Sequence, residues 1–190
     1  MAVDPLAVFH EWFEAAREAG VEAPEAMTLA TADADGRPSA RMLLLKSADE
    51  RGFTFFSGYE SRKGRELAEN PHAALVFHWR PLGRQVRVEG PVRRLSPEES
   101  DAYWATRPPR SRAAAAASRQ GEPIESREVL EAEFERLLPG DDLPRPERWG
   151  GYLLEPDAIE LWQHRDDRLH ERIRFTRARE GGWCEELLSP

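Results

Sequence analysis

The sequence has a single cysteine, Cys184, in 190 residues. One thiol cannot cross-link a chain to itself, so a disulfide framework is excluded. Cys184 lies in the strand-like stretch GGWCEELL and reads as a packing or surface residue. No apolar run approaches the ~18 residues of a membrane-spanning helix. The start, MAVDPLAVFHEWF, lacks the basic region and apolar block of a leader. A cytoplasmic address with no membrane partner is expected. There is no glycine-rich dinucleotide fingerprint, no P-loop and no Gly-x-Ser-x-Gly elbow. His10, His72, His78, His164 and His170 include no pair at the i+3 to i+5 spacing of a metal site, so no metal is expected. Positive charge is in deficit as well. A net charge of -8 opposes nucleic acid or an anionic membrane surface as a partner.

What is present is a globular composition, 40% hydrophobic and 33% charged, long enough for one domain over residues 1–190. Asp4-Pro5 opens a helix whose Leu6, Phe9, Phe13 and Ala16 share a face, and Gly20 ends it. Strands are expected at 26–32, 39–46 and 52–57, with Asp35-Gly36 as a hairpin turn. Ser61 caps a short helix, SRKGRELAEN. Residues 73–79 and 85–95 read as a strand pair around 81–83. Ser96-Pro97-Glu98-Glu99 opens a helix that Pro108-Pro109 ends. Helices are expected at 111–118 and 126–138, and a loop at 139–146. Strands at 151–154, 159–164, 173–178 and 183–188 complete the chain. Strands joined by tight turns favour an antiparallel sheet or barrel with peripheral helices, a mainly β (α+β) fold.

Three clusters combine cations with hydroxyl or aromatic groups. Ser61-Arg62-Lys63 opens a helix, where free N–H groups and the positive dipole end favour an anion such as phosphate. The alternative is a solvated helix start. Arg41 and Lys46 flank the run MLLL, and on one strand they would take opposite faces. Tyr103 and Arg107 are one helical turn apart, with Ser111 beyond, and form either a second anion site or an ordinary helix end. In RLHER, Arg168, His170 and Arg172 would share one face of a strand. Like charges on one face repel unless an anion lies among them. Trp162 could offer a flat wall to a planar ligand. Two phosphate-like cradles and an aromatic wall suggest two phosphorylated ligands.

The pieces RMLLLK, ESRKGREL, GRQVRVEG, AYWATRPPRS, RWGGY, ELWQ and RLHERIRF occur in an order that resembles the pyridoxine/pyridoxamine 5′-phosphate oxidase family. The resemblance runs from about Asp4 to the C-terminus. It implies an FMN-binding split β-barrel, a homodimer with FMN at the subunit interface. It further implies FMN contacts at Arg41, Lys46, Ser57, Arg62, Lys63, Gln85, Gln120, Trp162 and Arg172. Lys46, Tyr103, Arg107 and Ser111 match a substrate-phosphate site, while Arg168 and His170 match the catalytic residues beside the substrate pyridine. The implied reaction oxidises pyridoxamine or pyridoxine 5′-phosphate to pyridoxal 5′-phosphate and reduces O2 to hydrogen peroxide. Arg168 would orient the ring and stabilise developing charge.

The sequence departs from the family pattern at Phe56, where tyrosine is frequent, and at Gly121, where serine is usual. It departs again at Ala114-Ala115-Ala116 and at His164. It also begins almost directly at the first helix, without the basic, tyrosine-bearing segment of many members. Two alternatives therefore stay open. One is a related FMN-dependent oxidase of a dihydrophenazine-type intermediate. The other is a flavin or pyridoxal-phosphate binder without turnover.

Overall fold

Asp4 caps the first helix, its side chain accepting from the Leu6 N–H at 3.1 Å. Pro5 occupies the first turn, where its missing N–H costs nothing. Helix α1 (Pro5–Glu18) buries Leu6, Phe9 and Ala16. Phe9 meets the rings of Phe53 at 5.0 Å and Phe77 at 5.1 Å, which docks the helix on the sheet. The computed structural model describes residues 3–138 and 143–190.

The strands are β1 (Ala26–Ala32), β2 (Pro38–Leu44), β3 (Ser47–Asp49), β4 (Gly52–Gly58), β5 (His72–Trp79) and β6 (Arg84–Arg94). Later come β7 (Trp149–Leu154), β8 (Ala158–Gln163), β9 (Glu171–Arg177) and β10 (Trp183–Leu187). Helix α2 (Arg62–Glu69) lies between β4 and β5. Helices α3 (Pro97–Thr106), α4 (Pro109–Ala117) and α5 (Arg127–Leu137) fill the excursion between β6 and β7. Pairings run antiparallel throughout the described residues, as the tight turns imply.

The main sheet has the order β10-β9-β8-β6-β5-β1-β2, and β3-β4-β7 joins it through β6. Residues 84–89 of β6 lie between β5 and β8, whereas Val92–Arg94 pair with β7. The changeover falls at Gly90-Pro91. A Cβ on Gly90 would sit 2.0 Å from the Glu155 carbonyl oxygen, so only glycine permits this approach. Leu95 then donates its N–H to Gly151 O at 2.9 Å, so the two ends of the helical excursion are bonded side by side.

Alternation along β1 sends Met27, Leu29 and Thr31 inward. They join Phe53, Phe55, Leu75, Phe77, Trp79, Val86, Val88 and Ile159 in the core. The opposite face of the sheet exposes Met42 and Leu44.

Two local expectations are corrected. The second strand ends at Leu44, because Leu45 turns its N–H to Glu25 O and Lys46 donates to Thr54 O. Arg41 and Lys46 therefore belong to different pairings, and the opposite-face argument does not apply. The RLHER segment is not one strand, since β9 begins at Glu171. Asp167 accepts from the Leu169 N–H at 3.0 Å and Arg168 takes φ +67°, so a side-chain-bonded turn replaces the strand. Smaller differences are a 3-10 turn at Arg80–Leu82 and an α4 that starts at Pro109. The loop expected at 139–146 lies partly outside the described residues.

Candidate functional site

Ser61 caps α2, its hydroxyl accepting from the Gly64 N–H at 3.3 Å. A Cβ at Gly64 would lie 2.1 Å from Tyr59 O, so glycine lets the helix start press on the preceding turn. This geometry folds Lys63 inward, where it is 5% exposed. Its Nζ donates to Ser61 Oγ at 2.8 Å and to Gln120 Oε1 at 2.9 Å. Ser57 Oγ donates to the same Gln120 oxygen at 3.0 Å. Burial first, and then the Arg41 charge, bring the Lys63 pKa down to about 8 against the opposing effect of Glu66.

Arg41 reaches across from β2. Its guanidinium donates to Thr31 Oγ1 at 2.6 Å and pairs with Glu66 at 3.2 Å. Arg41, Arg62 and Lys63 line one open cavity of about 360 Å3, with Gln120 and Gly121 on its far side. Gly121 has φ +87°, a conformation that serine would adopt only with strain. Two cations at a helix start, one of them buried, and a third from β2 suit a phosphate.

A second cavity of about 390 Å3 adjoins the first and shares Leu43, Ser61 and Gln120 with it. Arg107, Ser111, Arg148 and Trp149 line it, and Ala114 and Ala115 of α4 stand where bulkier side chains would narrow it. The Arg107 guanidinium lies 4.6 Å over the Trp149 ring and donates to Ser111 O at 2.8 Å. Burial pushes the Arg107 pKa down, while Tyr103 favours the charged form. Tyr103 stacks on Phe56 at 3.8 Å, so the ring at 56 serves as its platform. The Nε atoms of Arg107 and Arg148 are buried with no hydrogen-bond partner among the described residues. Unsatisfied guanidinium donors beside a cavity fit an anionic guest.

The remaining candidates form a third group on β6, β8 and β9. Gln85 stands opposite Trp162, and Trp162 opposite Arg172, so the three share one face in a row. Arg172 donates to Glu160 at 2.9 Å. The His170 ring is 4.8 Å from Trp162 and 5.1 Å from His164. Arg165 donates its N–H to His170 Nδ1 at 3.1 Å, so a neutral His170 carries its proton on Nε2. His164 donates its own N–H to Gly83 O at 2.7 Å.

The structure thus brings Arg41, Ser57, Arg62, Lys63 and Gln120 together, and sets Tyr103, Arg107 and Ser111 beside them. It does not bring the Gln85-Trp162-Arg172 row, or Arg168 and His170, to the same place. Three strands, β1, β5 and β6, separate β2 from β8. That is roughly 19 Å along the sheet at the usual strand spacing. Lys46 stands apart from all three groups, in an open pocket with Phe13, Arg17 and Glu25. Sequence reasoning missed Glu66, although its i+4 spacing from Arg62 was a signal. It quoted Arg148 and Trp149 within RWGGY without giving them a role.

The antiparallel strands divided about β6, with a cation-lined cavity at their flank, define a split β-barrel of the FMN-binding class. The model of the pyridoxamine 5′-phosphate oxidase family matches residues 13–139, and that of the pyridoxine 5′-phosphate oxidase C-terminal dimerisation region matches residues 149–190. The chain belongs to the pyridoxamine 5′-phosphate oxidase family, and its fold is that of a homodimer subunit. A relative from Paraburkholderia phymatum, a pyridoxine/pyridoxamine 5′-phosphate oxidase, is 56% identical over 98% of this chain and 89% of its own. One of the same description from Rubrobacter xylanophilus is 56% identical over 98% of this chain and 87% of its own. Among solved structures, PhzG from Burkholderia lata 383, in complex with tetrahydrophenazine-1-carboxylic acid, superposes with TM-score 0.95 at 39% identity. The match covers 98% of this chain and 93% of PhzG. No helix among the described residues is long and apolar enough to cross a membrane.

Proposed function

We propose that the chain is a single-domain, FMN-dependent oxidase that converts pyridoxamine or pyridoxine 5′-phosphate to pyridoxal 5′-phosphate. The observation that carries this reading is the pair of adjoining cavities that bear cations, one at Arg41-Arg62-Lys63 and one at Arg107. Arg41, Arg62, Lys63, Ser57 and Gln120 would hold FMN on one subunit. Gln85, Trp162 and Arg172 would complete its site from the partner, because within one subunit two to four strands lie between β2 and the strands that carry them. Bound there, FMN would supply two-electron redox chemistry, with O2 as the final acceptor and hydrogen peroxide as the reduced product.

The chain supplies orientation and charge. Tyr103, Arg107 and Ser111 grip the substrate phosphate, and the under-solvated Arg107 gains most from a dianion. Lys46, on the turn between β2 and β3, is proposed to join them. Arg168 sits on the turn before β9, from which a guanidinium can orient the pyridine and offset developing charge. His170, with Nδ1 already accepting from Arg165, offers its Nε2–H as a donor to the substrate.

A second reading rests on the likeness to PhzG. The guanidinium cavity could take a carboxylate, and the substrate would then be a dihydrophenazine-type acid. Anaerobic mixing of the FMN-loaded protein with each substrate decides. Bleaching of the flavin by pyridoxine or pyridoxamine 5′-phosphate, with pyridoxal 5′-phosphate formed, supports the first reading. Bleaching only by a dihydrophenazine carboxylate transfers the assignment to the second. A flavin that neither reduces marks a binder without turnover.

A further inference from the structure

Behind the wall of the first cavity lies Glu66, 4% exposed and not itself part of the lining. Its two carboxylate oxygens serve different arginines. One accepts from Arg62 Nε at 2.8 Å. The other accepts from Arg41 at 3.2 Å and from Ser39 Oγ at 2.6 Å, with the Thr31 hydroxyl as a further donor. Burial would raise the carboxyl, but the hydrogen bonds from Ser39, Thr31, Arg62 and Arg41 outweigh it and hold the pKa to about 2. Glu66 is thus a fixed anion. Arg62 is bonded through Nε alone among the described residues, which leaves its outer N–H groups without a partner there, and it lines the cavity.

We infer that Glu66 is a positioning residue for the phosphate cradle, acting on the ligand through Arg41 and Arg62. The inference rests on the FMN reading above. An arginine loses rotamer freedom when it grips phosphate, and a carboxylate that already holds it removes part of that cost. The charge balance points the same way. Arg41, Arg62 and charged Lys63, less Glu66, leave two positive charges. A phosphomonoester near neutral pH carries about -1.5 to -2. Without Glu66 the two arginines and Lys63 would repel one another across one small cavity. The bland alternative is that Glu66 only stitches α2 to β1 and β2 through Thr31 and Ser39.

A comparison of two flavins separates these roles, because riboflavin lacks the phosphate. The dissociation constants of FMN and riboflavin are measured by fluorescence quenching for the flavin-stripped full-length protein and for Glu66→Gln. In the unaltered protein FMN should bind far more tightly than riboflavin. The variant should lose about tenfold or more in FMN affinity, as removal of a ligand's outer partner does elsewhere, with riboflavin changed by less than about twofold. Equal weakening of both flavins would overturn the inference in favour of a merely structural residue, and so would an unchanged FMN affinity. If the unaltered protein itself does not prefer FMN, the cofactor reading fails instead. Arg62→Gln, at an exposed position, supplies the coupling. Glu66→Gln should alter the FMN/riboflavin ratio less in that background, and strict additivity counts against the inference. Should Glu66→Gln not fold, Ser39→Ala removes one partner of the same oxygen and should lower FMN selectivity in the same direction. Unaltered selectivity there overturns the inference.

Discussion

The Lys63 ammonium donates to Gln120 Oε1 at 2.9 Å from a position almost sealed from solvent. Burial and the Arg41 charge bring its pKa down to about 8, within reach of ordinary buffers. A bound phosphate favours the ammonium, so binding raises this pKa and takes up a proton whenever Lys63 starts neutral. Below pH 8 the lysine is already charged and affinity is not limited by it. Above pH 8, FMN affinity should fall, approaching about tenfold per pH unit. Titration with FMN from pH 6 to 10 tests this, and Lys63→Met should flatten the alkaline limb.

Arg107 lies over Trp149, and its buried Nε has no hydrogen-bond partner among the described residues. Arg107→Met should raise the KM for pyridoxine 5′-phosphate while FMN affinity stays within about twofold. Losing one charge-assisted contact to phosphate is worth about 1.5–3 kcal/mol, or roughly ten- to a hundredfold in kcat/KM. Steady-state kinetics beside a flavin titration gives both numbers. A matching loss of FMN would show that the two cavities are not separable.

Arg168→Ala should cut kcat/KM by about tenfold or more and leave the purified protein yellow. The check is turnover normalised to flavin absorbance. Unchanged turnover removes Arg168 from the site.

If each site takes residues from two subunits, two impaired variants should complement each other. Mixed dimers of Arg107→Met with Arg168→Ala place both substitutions in one site and leave the other intact. After co-expression at equal levels, about a quarter of the unaltered activity should return, since half the dimers are mixed and each holds one good site. Activity no higher than either parent argues for sites built within one subunit.

Phe9 is 1% exposed and touches Phe53 and Phe77 edge-on. Phe9→Ala should lower stability by about 3–5 kcal/mol, read as an earlier midpoint in urea.

Much of this was legible in the sequence because it is local. Asp4, Ser61 and Ser96 cap helices as their spacing predicts, and Ser96 with Glu99 closes a full capping box. The Ser61-Arg62-Lys63 anion motif needs only one helix start, and the structure supplies the cavity beside it. What pattern could not supply depends on side-chain bonds and distant pairing. Asp167 turns the chain and keeps Arg168 and His170 off the strand. Lys46 leaves the β2 register because its N–H finds Thr54. The separation of Arg41 from Trp162 follows from β6 pairing with β8 across more than sixty residues. Glu66 drew no reading from the sequence, because Thr31, Ser39 and Arg41, which enclose it, come from other elements.

The bond from Leu95 to Gly151 closes the helical excursion at its root. Closing a loop grows costlier only slowly with its length. Residues can therefore be added to or lost from the stretch between them without shifting any register of the sheet. Arg107, Ser111 and Gln120 ride on that stretch, whereas Arg41 and Trp162 are fixed in the strands. On the proposed reading, the strands can keep Arg41 and Trp162 for the flavin while the wall that carries Arg107 and Ser111 is rebuilt, provided that Gln120 stays on Lys63.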